Sequence, residues 1–134
     1  MPGVRRLSTL VGVTAFPDGG AATYDDGNVA CTDTELVIRR YYFALGGTKR
    51  IPYSAIREVR RAPLTVLGRW RIQGSNDFVH WFNFDLRRPR KSVALVVHSG
   101  GRIRPVVTPD DPDRAAAALA AHGVRVTTGE EAGL

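Results

Sequence analysis

Val93-Ala94-Leu95-Val96-Val97-His98-Ser99-Gly100-Gly101-Arg102-Ile103-Arg104-Pro105-Val106-Val107-Thr108 is followed directly by Pro109-Asp110-Asp111-Pro112-Asp113. Val93–Val97 is a short apolar run, the pattern of a strand buried on both faces. Ser99-Gly100-Gly101 predicts a three-residue hairpin loop. Arg102–Thr108 returns with Ile103, Pro105 and Val107 on one face. Pro105 has no amide to donate, which predicts an edge position. A helix then opens. Asp110 or Asp111 is its N-cap, Pro112 fits the first turn, and Asp113 complements the positive end of the dipole. Ala115–Ala121 favours helix throughout, and Gly123 stops it. The helix's apolar face is alanine plus Leu119, so it packs closely against a flat surface or fills the mouth of a barrel. This stretch predicts a β-rich domain closed by one C-terminal helix, about residues 111–122. Val124–Thr128 can add a short strand, and 123–134 reads as a tail.

Working back toward the N-terminus, strand signals continue. Phe78–Leu86 alternates, with Phe78, His80, Phe82 and Phe84 on one face, and Arg69–Ile72 alternates with Trp70 and Ile72 inward. Ile56–Ala62 and Thr48–Tyr53 are strands, joined by a turn at Ser54-Ala55. Gly46-Gly47 predicts a hairpin, because both positions tolerate positive φ. Glu35–Leu45 reads as one long strand rich in branched and aromatic residues. Leu36 and Ile38 share a face, whereas Tyr41 and Phe43 fall on the other. That conflict predicts a bulge or strong twist at Arg39-Arg40. Asp33-Thr34 is a tight turn after the strand Val29–Thr32. Residues 1–27 are poorly periodic and read as an N-terminal arm, with Val4–Val13 as a strand within it.

The 134 residues suit one domain, and 43% apolar with 24% charged is ordinary for a globular chain. The single cysteine, Cys31, cannot form an internal disulfide and reads as a small buried side chain. No apolar run approaches the ~18 residues of a membrane helix. Arg5 and Arg6 precede an apolar stretch too diluted by Ser8, Thr9, Gly12 and Thr14 for a signal peptide. The expected compartment is the cytoplasm, with the inner membrane surface as a peripheral site.

The net charge of +6 is unevenly spread. Leu36–Pro109 holds 15 basic and three acidic residues, a net of +12, and the rest of the chain a net of −6. A basic surface attracts nucleic acid, anionic lipid or an acidic protein. Of the 19 basic residues only Lys49 and Lys91 are lysine. This arginine excess has two readings: a GC-rich coding composition, or an anion-binding face.

Leu36-Val37-Ile38, followed by Arg50-Ile51-Pro52-Tyr53-Ser54-Ala55-Ile56-Arg57-Glu58-Val59, resembles the pattern of bacterial pleckstrin-homology-like (PH-like) domains. Thr108–Pro112 ahead of the helix is also similar. The resemblance covers about residues 28–122 and lies in hydrophobic spacing and turns. It implies about seven strands, as a barrel or two orthogonal antiparallel sheets, capped by the C-terminal helix. It also implies a binding or assembly module, not an enzyme, with some relatives forming rings. Lipid-binding relatives carry a basic motif in the loop between their first two strands. The corresponding loop here, Asp33-Thr34, is short and acidic, which argues against specific phosphoinositide recognition.

No catalytic set stands out. Asp77, His80 and Asp85 are close in sequence, but His80 and Asp85 would point to opposite faces of a strand. His80, His98 and His122 are too scattered for a metal site, and no phosphate-binding glycine loop predicts a cofactor. Two basic clusters remain as candidate anion-binding residues: Arg39, Arg40, Lys49 and Arg50 around one hairpin, and Arg87, Arg88, Arg90 and Lys91 in a loop. Phe78 and Trp81 are candidate aromatic contacts. Aromatics beside arginines could stack on single-stranded nucleic acid or sit at a membrane surface; the alternative is that the aromatics are core and the arginines solvated. The expected function is a non-catalytic module engaging an anionic partner, with a nucleic-acid-associated protein as the alternative. Exposed strand edges leave homo-oligomerisation open.

Overall fold

The structure is a computed structural model that describes residues 14–15, 21–42, 46–65, 69, 71, 73–74, 79–131 and 134. Among these the fold is mainly β: two five-stranded sheets and one C-terminal helix, α1 (Pro112–Ala121). The first sheet comprises β1 (Thr14–Ala15), β2 (Ala21–Asp25), β3 (Val29–Thr32), β4 (Glu35–Ile38) and β5 (Lys49–Pro52), paired antiparallel in that order. The second comprises β6 (Glu58–Pro63), β7 (His80–Phe82), β8 (Val93–His98), β9 (Arg104–Val107) and β10 (Val126–Thr128). Its order is β10-β6-β8-β9-β7, and both edge strands pair parallel with their neighbours.

Three expectations are corrected here. About seven strands become ten among the described residues, because β1 and β2, before position 28, join the first sheet and β10, after 123, joins the second. No ladder joins the sheets into a closed barrel among the described residues. The second sheet is mixed, not antiparallel, because β7 and β10 reach their neighbours through long connections instead of hairpins.

The strand from Glu35 also ends earlier than its composition implies. It stops at Ile38, and Arg40 adopts φ 51°, a left-handed turn. That turn resolves the conflict of faces: Leu36, Ile38 and Tyr41 all join the main core, while Val37 packs with Ala30 on the other side of the sheet. Phe43 lies outside the described residues. Likewise, among the described residues of the span 78–86, only His80–Phe82 is a strand. Arg69 and Arg71 lie in no strand; Trp70, Ile72 and Val4–Val13 lie outside the described residues.

Pro105 is interior, since β9 lies between β8 and β7. The Arg104 amide points to β7, donating to Val79 O at 2.6 Å, so the next amide position faces β8. The β8–β9 ladder covers only Leu95↔Val107 and Val96↔Val106 and stops one residue short of Pro105. The missing N–H therefore falls where no ladder bond is made.

β8 is buried on both faces, as its apolar run implies. Leu95 and Val97 face the main core with Val59, Leu36 and Ile38; Ala94 and Val96 face a second cluster with Phe82, Leu64 and Leu134. Helix α1 touches β2 and β3 of one sheet and β8 and β10 of the other, so it closes the space between them. Its alanines make this close approach feasible: Ala115, Ala118 and Leu119 are all in the main core. Asp111 is the N-cap, accepting from Arg114 N at 3.0 Å, and Gly123 ends the helix with φ 84°.

Candidate functional site

The acidic turn Asp25-Asp26-Gly27 brings both predicted basic clusters together. Arg39 forks onto Asp25 at 2.7 and 3.1 Å. Arg87 reaches Asp26 O at 3.3 Å and pairs with Asp110 at 3.1 Å. Asp26 also fastens the turn to the start of α1: its carboxylate accepts from Tyr24 Oη at 2.6 Å and from Asp110 N at 2.8 Å.

Between the clusters runs a buried polar chain. Asn28 Oδ1 accepts from Arg40 at 3.1 Å and from Asn83 Nδ2 at 2.9 Å. Asn83 Oδ1 accepts from Arg88 at 2.8 Å, and Arg88 Nε donates to Thr108 Oγ1 at 3.2 Å. Thr108 in turn donates to Asp85 at 2.8 Å, and Asp85 holds Lys91 at 2.8 Å. Arg88 is wholly enclosed, with its guanidinium 5.0 Å from the Phe82 ring centroid. Burial pulls its pKa down to about 10, against the neighbouring charge of Asp85. Burial pushes the Asp85 carboxyl up, but bonds from Lys91, Thr108 and the Arg87 amide outweigh it, leaving it below the ordinary aspartate value.

The predicted residues therefore divide. Arg39, Arg50, Arg87 and Lys91 are paired with Asp25, Glu35, Asp110 and the Asp85–Asp110 pair respectively. Arg88 is inside the protein. Lys49 lies 5.3 Å from the Tyr41 ring centroid, and Arg90 is exposed. Trp81 is half-buried against the main core and donates to Tyr41 O at 2.6 Å; Phe78 lies outside the described residues.

A second polar site has Glu131 at its centre. Its carboxylate meets His80 Nε2 at 2.7 Å, Arg104 at 2.8 Å, His98 Nε2 at 3.4 Å and Arg60 Nε at 3.9 Å. Burial raises the Glu131 carboxyl, but the bonds from His80 and Arg104 and the charges of both histidines bring it below the ordinary glutamate value. Arg60 Nε and His98 Nε2 are buried without a hydrogen-bond partner, and both face Glu131 Oε1. Among the described residues no group of three or more His, Cys, Asp or Glu side chains is arranged to hold a metal.

Beside this cluster is a cleft of about 270 Å³, lined by Arg57, Glu58, His98, Gly100, Gly101 and Arg104. The hairpin glycine shapes it. Gly100 has φ 86°, and a Cβ there would lie 2.9 Å from Arg57 Cζ, so the guanidinium lies flat on the glycine. Glu58 is held by Thr127 and Arg60 and titrates below the ordinary glutamate value. Sequence reading missed this cluster because Glu131 is 51 residues from His80 and 27 from Arg104. The one local signal was the pair of glycines flanked by His98 and Arg104.

No protein-family model, no curated protein and no solved structure matches this chain. No helix among the described residues is long and apolar enough to cross a membrane.

Proposed function

We propose that this chain is a non-catalytic binding module of the PH-like kind that engages an anionic partner. The two sheets, with a helix following the β8–β9 hairpin and closing the space between them, agree with that architecture. One observation carries the functional reading. After internal pairing, Arg40, Arg57, Arg90, Arg102, Arg114 and Arg125 remain exposed and make no ion pair among the described residues. Uncompensated surface cations attract anions over roughly a Debye length, about 8 Å at physiological ionic strength.

The test is co-sedimentation with vesicles containing phosphatidylserine or only phosphatidylcholine, alongside a shift assay with single-stranded oligonucleotide, both over a salt series. Binding to an anionic surface that weakens as salt rises supports the reading. Equal recovery in the supernatant with both vesicle types, together with no shift at low salt, overturns it.

A further inference from the structure

We infer that the cleft at the β8–β9 hairpin is a binding site for a phosphate group, held by Arg57 and Arg104. The inference rests on the anion-binding reading above and gives it a location and a ligand class.

Two guanidinium groups line one small concavity. Arg57 is exposed and makes no ion pair among the described residues; Arg104 is 40% exposed and spends one nitrogen on Glu131. Guanidinium forks match the oxygens of phosphate in spacing and in charge. The cleft's size, about 270 Å³, falls just below the range for drug-sized ligands and suits a single compact group.

Two of the lining residues, Arg104 and His98, also meet the carboxylate of Glu131. The cleft lining itself carries two guanidinium groups (Arg57, Arg104) against one carboxylate (Glu58), so positive charge is in excess. The polar inventory is also incomplete. Buried polar atoms are nearly always hydrogen-bonded, and exceptions cluster where a ligand or water belongs. One such exception, His98 Nε2, belongs to a residue that lines the cleft, and its nearest charged neighbour is Glu131 Oε1 at 3.4 Å.

The glycine is part of the design. Arg57 is positioned by its backbone, whose N–H donates to His98 O at 2.8 Å, and by the flat surface of Gly100 under its guanidinium. A methyl group at position 100 would displace that guanidinium and strain a positive φ. Gly100→Ala therefore disturbs the site without removing a charge.

The experiment is a titration of the full chain with sodium phosphate at constant ionic strength, read by amide and arginine Nε–Hε NMR shifts. Wild type, Arg57→Ala, Gly100→Ala and the charge-matched control Arg114→Ala are compared. The expected result is saturable shifts centred on 57 and 98–104, an affinity lowered at least tenfold by Arg57→Ala and Gly100→Ala, and no change with Arg114→Ala. Retained dispersion of the spectra shows that the variants fold. A mononucleotide and vesicles containing phosphatidic acid are then titrated to assign the source: the probe bound most tightly in an Arg57-dependent way identifies it. Non-saturating shifts spread over the surface, or equal shifts in Arg57→Ala, overturn the inference. If that happens while salt-sensitive binding to anionic vesicles persists, the site is wrong and the broader reading stands. Loss of both removes both.

Discussion

His80 Nε2 sits 2.7 Å from Glu131 Oε2, with both side chains at most 5% exposed. The pair joins the edge strand β7 to the segment that follows β10. Arg104 holds the same oxygen at 2.8 Å, so three separate parts of the chain meet on one carboxylate.

That geometry fixes an acid response. The Glu131 carboxyl titrates below its ordinary value, so its contribution is complete above about pH 4.3, the unfolded value, and is lost as pH falls through the folded one. Glu131→Gln keeps the shape and removes the charge. It should cost about 1–3 kcal/mol at neutral pH and flatten the fall of Tm between about pH 5 and 3. A residual acid slope should persist, because Asp85 is shifted in the same direction. Thermal melts of both proteins from pH 3 to 8 measure this, and parallel curves would refute it.

Arg88 and Arg90 are two residues apart and should behave oppositely. Arg88→Met strands the Asn83 carbonyl and side-chain oxygens and the Arg71 carbonyl, and removes the donor to Thr108 Oγ1. Breaking such a buried charged network costs about 3–5 kcal/mol, roughly 10–20 °C in Tm. Arg90→Met removes an exposed side chain and should stay within about 0.5 kcal/mol. Similar melts for the two variants would contradict the assignment of Arg88 to the interior.

Cys31 is fully buried, and burial pushes its thiol up to about 12. Thiolate is the reactive form, so a disulfide reagent at pH 8 should leave the native protein unlabelled. Labelling should accelerate roughly 10³-fold or more in denaturant, as stability of at least about 5 kcal/mol implies. Fast native labelling would place Cys31 at the surface.

The sequence left Asp110 and Asp111 as equal candidates for the N-cap. The structure assigns the cap to Asp111 and gives Asp110 to Arg87 and Lys91. Asp111→Ala should cost about 0.5–2 kcal/mol, and Asp110→Ala at most about 1. Denaturant melts of the two variants separate these roles; the reverse ranking would reassign the cap.

What was legible in the sequence was local. In the stretch 93–123 the cap and stop of the helix appear where their chemistry puts them, whereas the three-residue loop expected at Ser99-Gly100-Gly101 opens to five residues, 99–103, between β8 and β9. The pairing of faces in β4 was equally plain from Leu36 and Ile38. Long-range polar pairing was not legible. Nothing near Arg88 shows that Asn83, Thr108 and Arg71 will supply its acceptors, so it read like the exposed arginines beside it. Pro105 misled because a missing amide marks an edge only if that amide was due to bond. The cluster on Glu131 was hidden because a carboxylate in a short polar segment carries no sign of the strands it will meet.

The parallel ladder between β6 and β10 has a further consequence for biogenesis. Val59 stays without its neighbour Val126 until 67 more residues have been synthesised. During that interval on the ribosome β6 presents an open edge, the kind of surface on which nascent strands add to one another. Pairings this distant also slow closure of the sheet. A chain stalled before position 126 would therefore keep that edge of β6 open to pairing with another strand.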